Sequence, residues 1–341
     1  MHRSARCAGA VQAQTGWQVR VAAGPFIPLL YLICALLPAL AWSADHVRVV
    51  VAGSEHSMGA QIVRDIGKTI AQPANIAFDL HYSSGSTDSL LRLKDGSGLQ
   101  FALLQADLAD AFLGAAARGS AEAGKLVAPA RVIAPLYDEE IIFIVRSDSP
   151  LNFVHDIVNA RINLGPSLGG SALTVSNLYR LMFGKALPEQ QSSFHPHQEA
   201  LADLTEKTMD VVAFVASRPA QLLAEMKPAA RRFVKLLKFD PRHASAAAVT
   251  RVYSATRIPA ATYPNLLTAD LPALAVNIYL VRYGSNDALE ARFGSAWCHY
   301  LPKLRAKGHS AIRDLKPVPP ALAPGWQYAP AFAQKLVGCN G

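Results

Sequence analysis

Short apolar runs alternate with stretches whose apolar residues recur at helical spacing. Val47-Arg48-Val49-Val50-Val51 reads as a strand, Ala52 to Gly59 as a glycine-containing turn, and Ile62, Ile66 and Ile70 as one face of a helix. Ile76 to Tyr82 reads as a second strand, leading through Ser83-Ser84-Gly85-Ser86 into a helical stretch with Leu90, Leu91 and Leu93. Phe101 to Leu104 is a third, followed by Gln105-Ala106-Asp107 and a helix around Leu108, Phe112 and Leu113. Strands alternating with helices predict a parallel sheet covered on both faces. Ligands of such sheets bind beyond the carboxyl ends of the strands, where all three turns lie.

After a strongly apolar strand at Ile141 to Val145, Arg146-Ser147-Asp148-Ser149-Pro150 breaks the period and a second α/β pattern begins. It has strands at Arg161 to Leu164, Met209 to Val215 and Phe233 to Leu237, and a helix from about Ala172 to Phe183. Ala275 to Arg282 is another apolar strand before a mostly helical C-terminal part. The pattern predicts an α/β protein of two lobes joined by two hinge crossovers, near Val145 and Leu280. Lobe 1 comprises residues 44–145 plus 283–341 and lobe 2 residues 146–282.

The first residues follow a different rule. No acidic residue precedes Asp45, and Arg3, Arg6 and Arg20 lie ahead of an uncharged stretch from Val21 to Ala44. Phe26 to Leu40 has the length of a signal-peptide apolar region, and the small-residue triplets Ala39-Leu40-Ala41 and Ala41-Trp42-Ser43 follow it. Residues 1–43 therefore read as a secretory signal and the mature chain as periplasmic. The rival reading is an uncleaved anchor, against which stand Pro28, Pro38 and the cleavage-like triplets. Leu32-Ile33 before Cys34 does not suit a lipoprotein signal.

Export changes the charge argument. The formal charge of +8 over 341 residues falls to +5 without the three leading arginines. The remaining basic residues are dispersed apart from Arg231-Arg232, Lys235 and Lys238, so a nucleic-acid partner is not expected. Cys7 and Cys34 precede the mature chain, leaving Cys298 and Cys339 as a candidate disulfide in an oxidising compartment, with two free thiols as the alternative. No metal or cofactor is expected: the nearest approach to a ligand cluster is His195-Pro196-His197, which reads as a loop.

Two chemistries compete for one motif. Gly165-Pro166-Ser167-Leu168-Gly169 has the G-x-S-x-G form of a nucleophile elbow, with Asp210 and His243 following in hydrolase order. Pro166, the continuation Gly170-Ser171 and the lack of an HGGG-type segment weigh against a serine hydrolase. The alternative is a ligand cradle. In it Ser167, Gly170 and Ser171 place hydroxyls and free N–H groups at a helix N-terminus, which suits an anion. Ser54 and Ser57, Ser84, Gly85 and Ser86, and Gln105 offer similar neutral donors at the first three turns.

Several stretches together resemble the TAXI family, the extracytoplasmic solute-binding subunits of tripartite ATP-independent periplasmic (TRAP) transporters. They are Ser83-Ser84-Gly85-Ser86 with Leu90-Leu91-Arg92-Leu93, Phe101-Ala102-Leu103-Leu104-Gln105-Ala106-Asp107, Leu136-Tyr137, Asn163 to Ala172, Asp210 to Phe214 and Ile258 to Pro264. The resemblance implies a two-lobed type II periplasmic-binding fold, without enzymatic activity. Such a protein closes on a small organic anion, often a dicarboxylate or amino acid, and delivers it as a monomer to the membrane permease subunits of a TRAP transporter. It brings Tyr137 and Ser217 into the candidate ligand set. A sensor that presents its solute to a membrane receptor is the alternative role. The chain departs from the family at Ala52-Gly53-Ser54-Glu55-His56-Ser57-Met58-Gly59, which is shorter and lacks an aromatic pair; Glu55 and His56 are expected at the rim. Ala216-Ser217-Arg218-Pro219 also departs, with Arg218 either meeting a ligand carboxylate or standing exposed.

Overall fold

The computed structural model describes residues 43–264, 266–316, 320–337 and 339. The expected leader over residues 1–43, with Cys7 and Cys34, lies outside them except for Ser43.

The β-branched run forms β1 (Asp45–Ala52), whose side chains are used on both faces: Val50 packs into one core cluster, Val49 and Val51 into another. That explains a nearly continuous apolar run where a half-exposed strand would alternate. β2 (Ile76–Ser83) and β3 (Leu99–Gln105) flank β1 in parallel register. Between them run α1 (Met58–Ile66), continued by a π-helical turn at Gly67–Ala71, and α2 (Ser86–Lys94). The helix expected through Ile62, Ile66 and Ile70 thus widens in its last turn, and all three isoleucines stay buried. α3 (Asp107–Ala117) and α4 (Ala121–Val127) follow β3.

The centre of the sheet is an antiparallel ribbon of β4 (Ala130–Arg146) and the late strand β10 (Leu271–Tyr283), paired from Leu274–Ile141 to Tyr283–Ala130. Both exceed their sequence-predicted spans. In β4 the first half carries Pro135, Asp138, Glu139 and Glu140, which mask its strand character, and each charge finds company: Asp138 accepts from Asn277, Glu139 from Ser217, and Glu140 pairs with Arg218. Beyond β4 lie β7 (Val211–Ala216), antiparallel to it, then β5 (Ile162–Asn163) and β6 (Ser192–Ser193), parallel to β7 and to each other. The order is β2-β1-β3-β10-β4-β7-β5-β6, with β8 (Val234–Leu236) on β4 and β9 (Ser254–Ile258) on β10.

α5 (Gly170–Phe183) and α6 (His197–Thr205) cover the second half of the sheet. α7 (Asp287–Lys307) and α8 (Pro330–Leu336) return to the first half, where Phe293, Trp297 and Phe332 meet the β1–β3 face. Cys298 and Cys339 form the expected disulfide, with Cα atoms 5.2 Å apart, and tie the segment after α8 to α7. Buried Arg282, at the end of β10, meets buried Glu290 of α7 at 2.5 Å.

Candidate functional site

The N-termini of three helices converge on one cleft of about 380 Å³ at the carboxyl ends of β1, β2 and β3. Its volume is near the lower end of small-molecule sites, roughly 300–1,000 Å³. Ser57 caps α1, its Oγ accepting from the Ala60 N–H at 3.3 Å. Ser86 opens α2 and accepts from the Gln105 N–H at 3.0 Å; Ser171, in the first turn of α5, accepts from the Val215 N–H at 3.0 Å. Each hydroxyl therefore spends a lone pair on positioning a loop and keeps its proton for a partner in the cleft. The uncapped N–H groups of the first helical turns add donors and partial positive charge.

Two glycines allow this convergence. A Cβ on Gly85 would lie 2.4 Å from the Gly170 nitrogen, and one on Gly170 would lie 2.4 Å from Gln105 Oε1. The loop after β2 and the loop before α5 meet backbone to backbone, and no larger residue fits. Gln105 is 4% exposed, and its Oε1 has no hydrogen-bond partner.

Ser57, Ser84, Gly85, Ser86, Gln105, Tyr137, Gly170, Ser171 and Ser217 all line the cleft. Ser84 donates to Asp88 Oδ2 at 3.1 Å. Burial holds the Tyr137 phenol well above its ordinary titration range, which keeps it a neutral donor. Two expected residues lie elsewhere. Ser54, at the exposed turn, accepts from the His56 N–H at 3.3 Å, and Ser167 lines a separate hollow of about 430 Å³ with Arg180 and Phe194. Glu55 and His56 are exposed, 3.4 Å from each other and off the lining, as expected of rim residues.

Sequence reasoning passed over Glu139 and set His197 aside as part of a loop, whereas His197 opens α6; both line the cleft. Glu139 Oε1 accepts from Ser217 Oγ at 3.0 Å; burial raises the carboxyl's pKa, and the Ser217 bond works against that rise. Its position two residues after Tyr137 on one strand was the available signal, because i and i+2 share a face. His197 is half-buried, its Nε2 unpartnered, and desolvation lowers its pKa. Arg218 is committed elsewhere: its guanidinium pairs with Glu140 and donates to the Arg257 carbonyl at 2.8 Å. Among the described residues that line the cleft there is no lysine or arginine.

The hydrolase constellation is not assembled. Ser167 is exposed, Asp210 is held by Arg161 Nη2 at 2.7 Å and Nε at 3.0 Å, and His243 stacks on His155 with ring centroids 3.9 Å apart. Among the described residues, no group of three or more His, Cys, Asp or Glu side chains is placed to hold a metal ion.

A sequence model of one family matches residues 51–288, which include the cleft and the whole β4–β10 ribbon. The chain belongs to the NMT1-like family. This is a family of periplasmic solute-binding proteins, which are not enzymes and work outside the cytoplasm with membrane transport components. The mixed α/β architecture built on one large sheet agrees with the α/β class expected from the sequence. Similar solved structures include XAC2383 from Xanthomonas citri bound to ATP (13% identity, 86% of this chain and 98% of that one, TM-score 0.45). ArtJ from Geobacillus stearothermophilus, an arginine-, lysine- and histidine-binding protein, is 13% identical over 78% of this chain and 98% of its own (TM-score 0.43). The aliphatic sulphonate-binding protein SsuA from Escherichia coli is 13% identical over 87% and 84% (TM-score 0.40). No curated protein matches the chain. Among the described residues of this NMT1-like protein, no helix is long and apolar enough to cross a membrane.

Proposed function

We propose that this solute-binding protein captures a small organic anion in the Ser57–Ser86–Ser171 cleft and delivers it to a membrane permease of the TRAP type, in the manner of the TAXI subunits its motifs resemble. The observation that carries the reading is the convergence of three helix N-termini on a cleft that also holds the unpartnered Oε1 of buried Gln105. Residues 44–145 plus 283–341 and residues 146–282 act as two lobes, with β4 and β10 as the hinge crossovers. A ligand bridging Ser86 and Ser171 stabilises the closed state by contacts absent from the open one. The leader over residues 1–43 exports the chain, which works as a monomer.

Native mass spectrometry of the mature protein, with thermal shift against a panel of small carboxylic acids, tests the reading. Ser171→Phe fills the cleft at the start of α5 and removes a hydroxyl that faces it. The expected result is loss of acid-induced stabilisation with an unchanged far-UV spectrum. Stabilisation equal to that of the native protein would refute the assignment of this cleft. Co-purification from membranes with a permease rather than a receptor ectodomain separates transport from sensing.

A further inference from the structure

We propose that Glu139 selects the charge of the solute, so that the cleft takes a zwitterion whose protonated amine meets Glu139 while its acid group meets the helix N-termini. This rests on the reading that the cleft is the solute site.

Donors and acceptors are segregated within the lining. The first turns of α1, α2 and α5, each nine residues or longer, present N–H and O–H donors. Unmatched acceptor capacity lies with Gln105 Oε1, buried and unpartnered, and with the Glu139 carboxyl. A simple dicarboxylate satisfies the donors and leaves these acceptors facing a second carboxylate, whereas an ammonium satisfies them.

Among the described residues, no cationic side chain pairs with Glu139. Arg218, near in sequence to its partner Ser217, is taken by Glu140; Asp88, beside the cleft, is matched by Arg92 at 2.8 Å. The titratable groups that share the lining are Tyr137 from the same strand and His197 from α6. Burial keeps the Tyr137 phenol protonated and disfavours the charged form of the His197 imidazole. A carboxylate in a cleft, hydrogen-bonded only to a neutral hydroxyl, is the arrangement a ligand cation completes. Ser217 fixes the carboxyl's orientation, so Glu139 is a specificity-determining residue aimed before the ligand arrives.

Isothermal titration calorimetry with matched acids tests this: L-aspartate against succinate, 4-aminobutyrate against butyrate, and L-leucine against 4-methyl-2-oxopentanoate. The native protein is expected to bind the amine-bearing member of at least one pair tenfold or more tightly than its partner. Glu139→Gln, which keeps an acceptor for Ser217, is expected to bring that ratio down to about one while its ligand-free melting temperature stays near native. Affinity of the native protein for the amine is also expected to fall as pH drops and Glu139 takes up a proton; in Glu139→Gln this dependence is lost. A native preference for the amine-free acids, no binding of any amine, or a ratio unchanged by Glu139→Gln overturns the proposal. Gly170→Val, which drives a side chain into Gln105, reports separately on the cleft. Undiminished binding of the preferred amine in that variant refutes the location of the solute site, whatever Glu139→Gln shows.

Discussion

Asp107 is a carboxyl that folding makes harder to ionise, and replacing it with asparagine has a calculable signature. It stands at the start of α3, fully buried, with Oδ2 accepting from the Tyr253 hydroxyl at 2.8 Å and Oδ1 unpartnered. Tyr253 also reaches the Thr174 carbonyl, and Asn177 bridges to Asp110, itself paired with Arg180, so the cluster joins α3 to α5. Burial raises the Asp107 pKa from 3.8 to about 6 despite the Tyr253 bond. At about 1.4 kcal/mol per pH unit, ionising Asp107 in the folded protein costs about 3 kcal/mol more than in the unfolded chain. Because the folded value is the higher one, the protonated group's contribution is fully present below about pH 4 and is lost as pH rises through 6. Asp107→Asn keeps a carbonyl for Tyr253 and cannot ionise. Its stability relative to the native protein should therefore rise by about 2 to 3 kcal/mol between pH 4 and pH 8. Urea unfolding followed by fluorescence of the buried Trp297 and Trp326, at several pH values across this range, measures the difference. A difference that stays constant with pH, or that grows in favour of the native protein, would refute the argument.

Removing the disulfide by Cys298→Ser with Cys339→Ser should cost about 4 kcal/mol, the chain-entropy value for a sequence separation of 41 residues, read as a fall in the urea midpoint of oxidised protein. A reducing agent should then shift the native midpoint and leave that of the double variant unmoved. Arg282→Met strands Glu290, which is 0% exposed, and should destabilise by about 3–5 kcal/mol. Adding Glu290→Leu should recover most of that loss; continued decline in the double variant would show that the ion pair was not the cause.

The strand–turn–helix units of the first half were legible because each apolar run there is short and uninterrupted, as at Val47 to Val51 and Phe101 to Leu104. The serines and glycines of the turns after β1 and β2 and before α5 were legible as cleft residues for the same reason: sheet topology fixes which ends of the strands they occupy. The first half of β4 was not. Pro135, Asp138, Glu139 and Glu140 read as a polar segment because their partners, Ser217, Arg218 and Asn277, are 78 to 139 residues away in the chain. Glu139 was missed with them, and it is the residue that most changes the chemistry of the cleft. Ser54 and Ser167 were chosen for residue type within the right turns, yet Ser54 bonds within its own turn and Ser167 lines a separate hollow, which only the backbone path decides. Arg218 had two open readings: it stands exposed, as one of them had it, and its guanidinium is neutralised by Glu140 within the protein.

The position of β10 bears on the order in which the protein assembles. β3 and β4 have no direct partnership in the sheet; β10 lies between them, and its residues 271–283 come more than 120 residues after the end of β4. A chain delivered from its N-terminus can form the β1–β2–β3 unit early. Its central ribbon must wait until nearly the whole sequence has arrived, and then close a long loop. Contacts of that separation are slow to form. The strand that unites the sheet is thus also the late step of assembly: the central ribbon cannot close before residues 271–283 are available to pair.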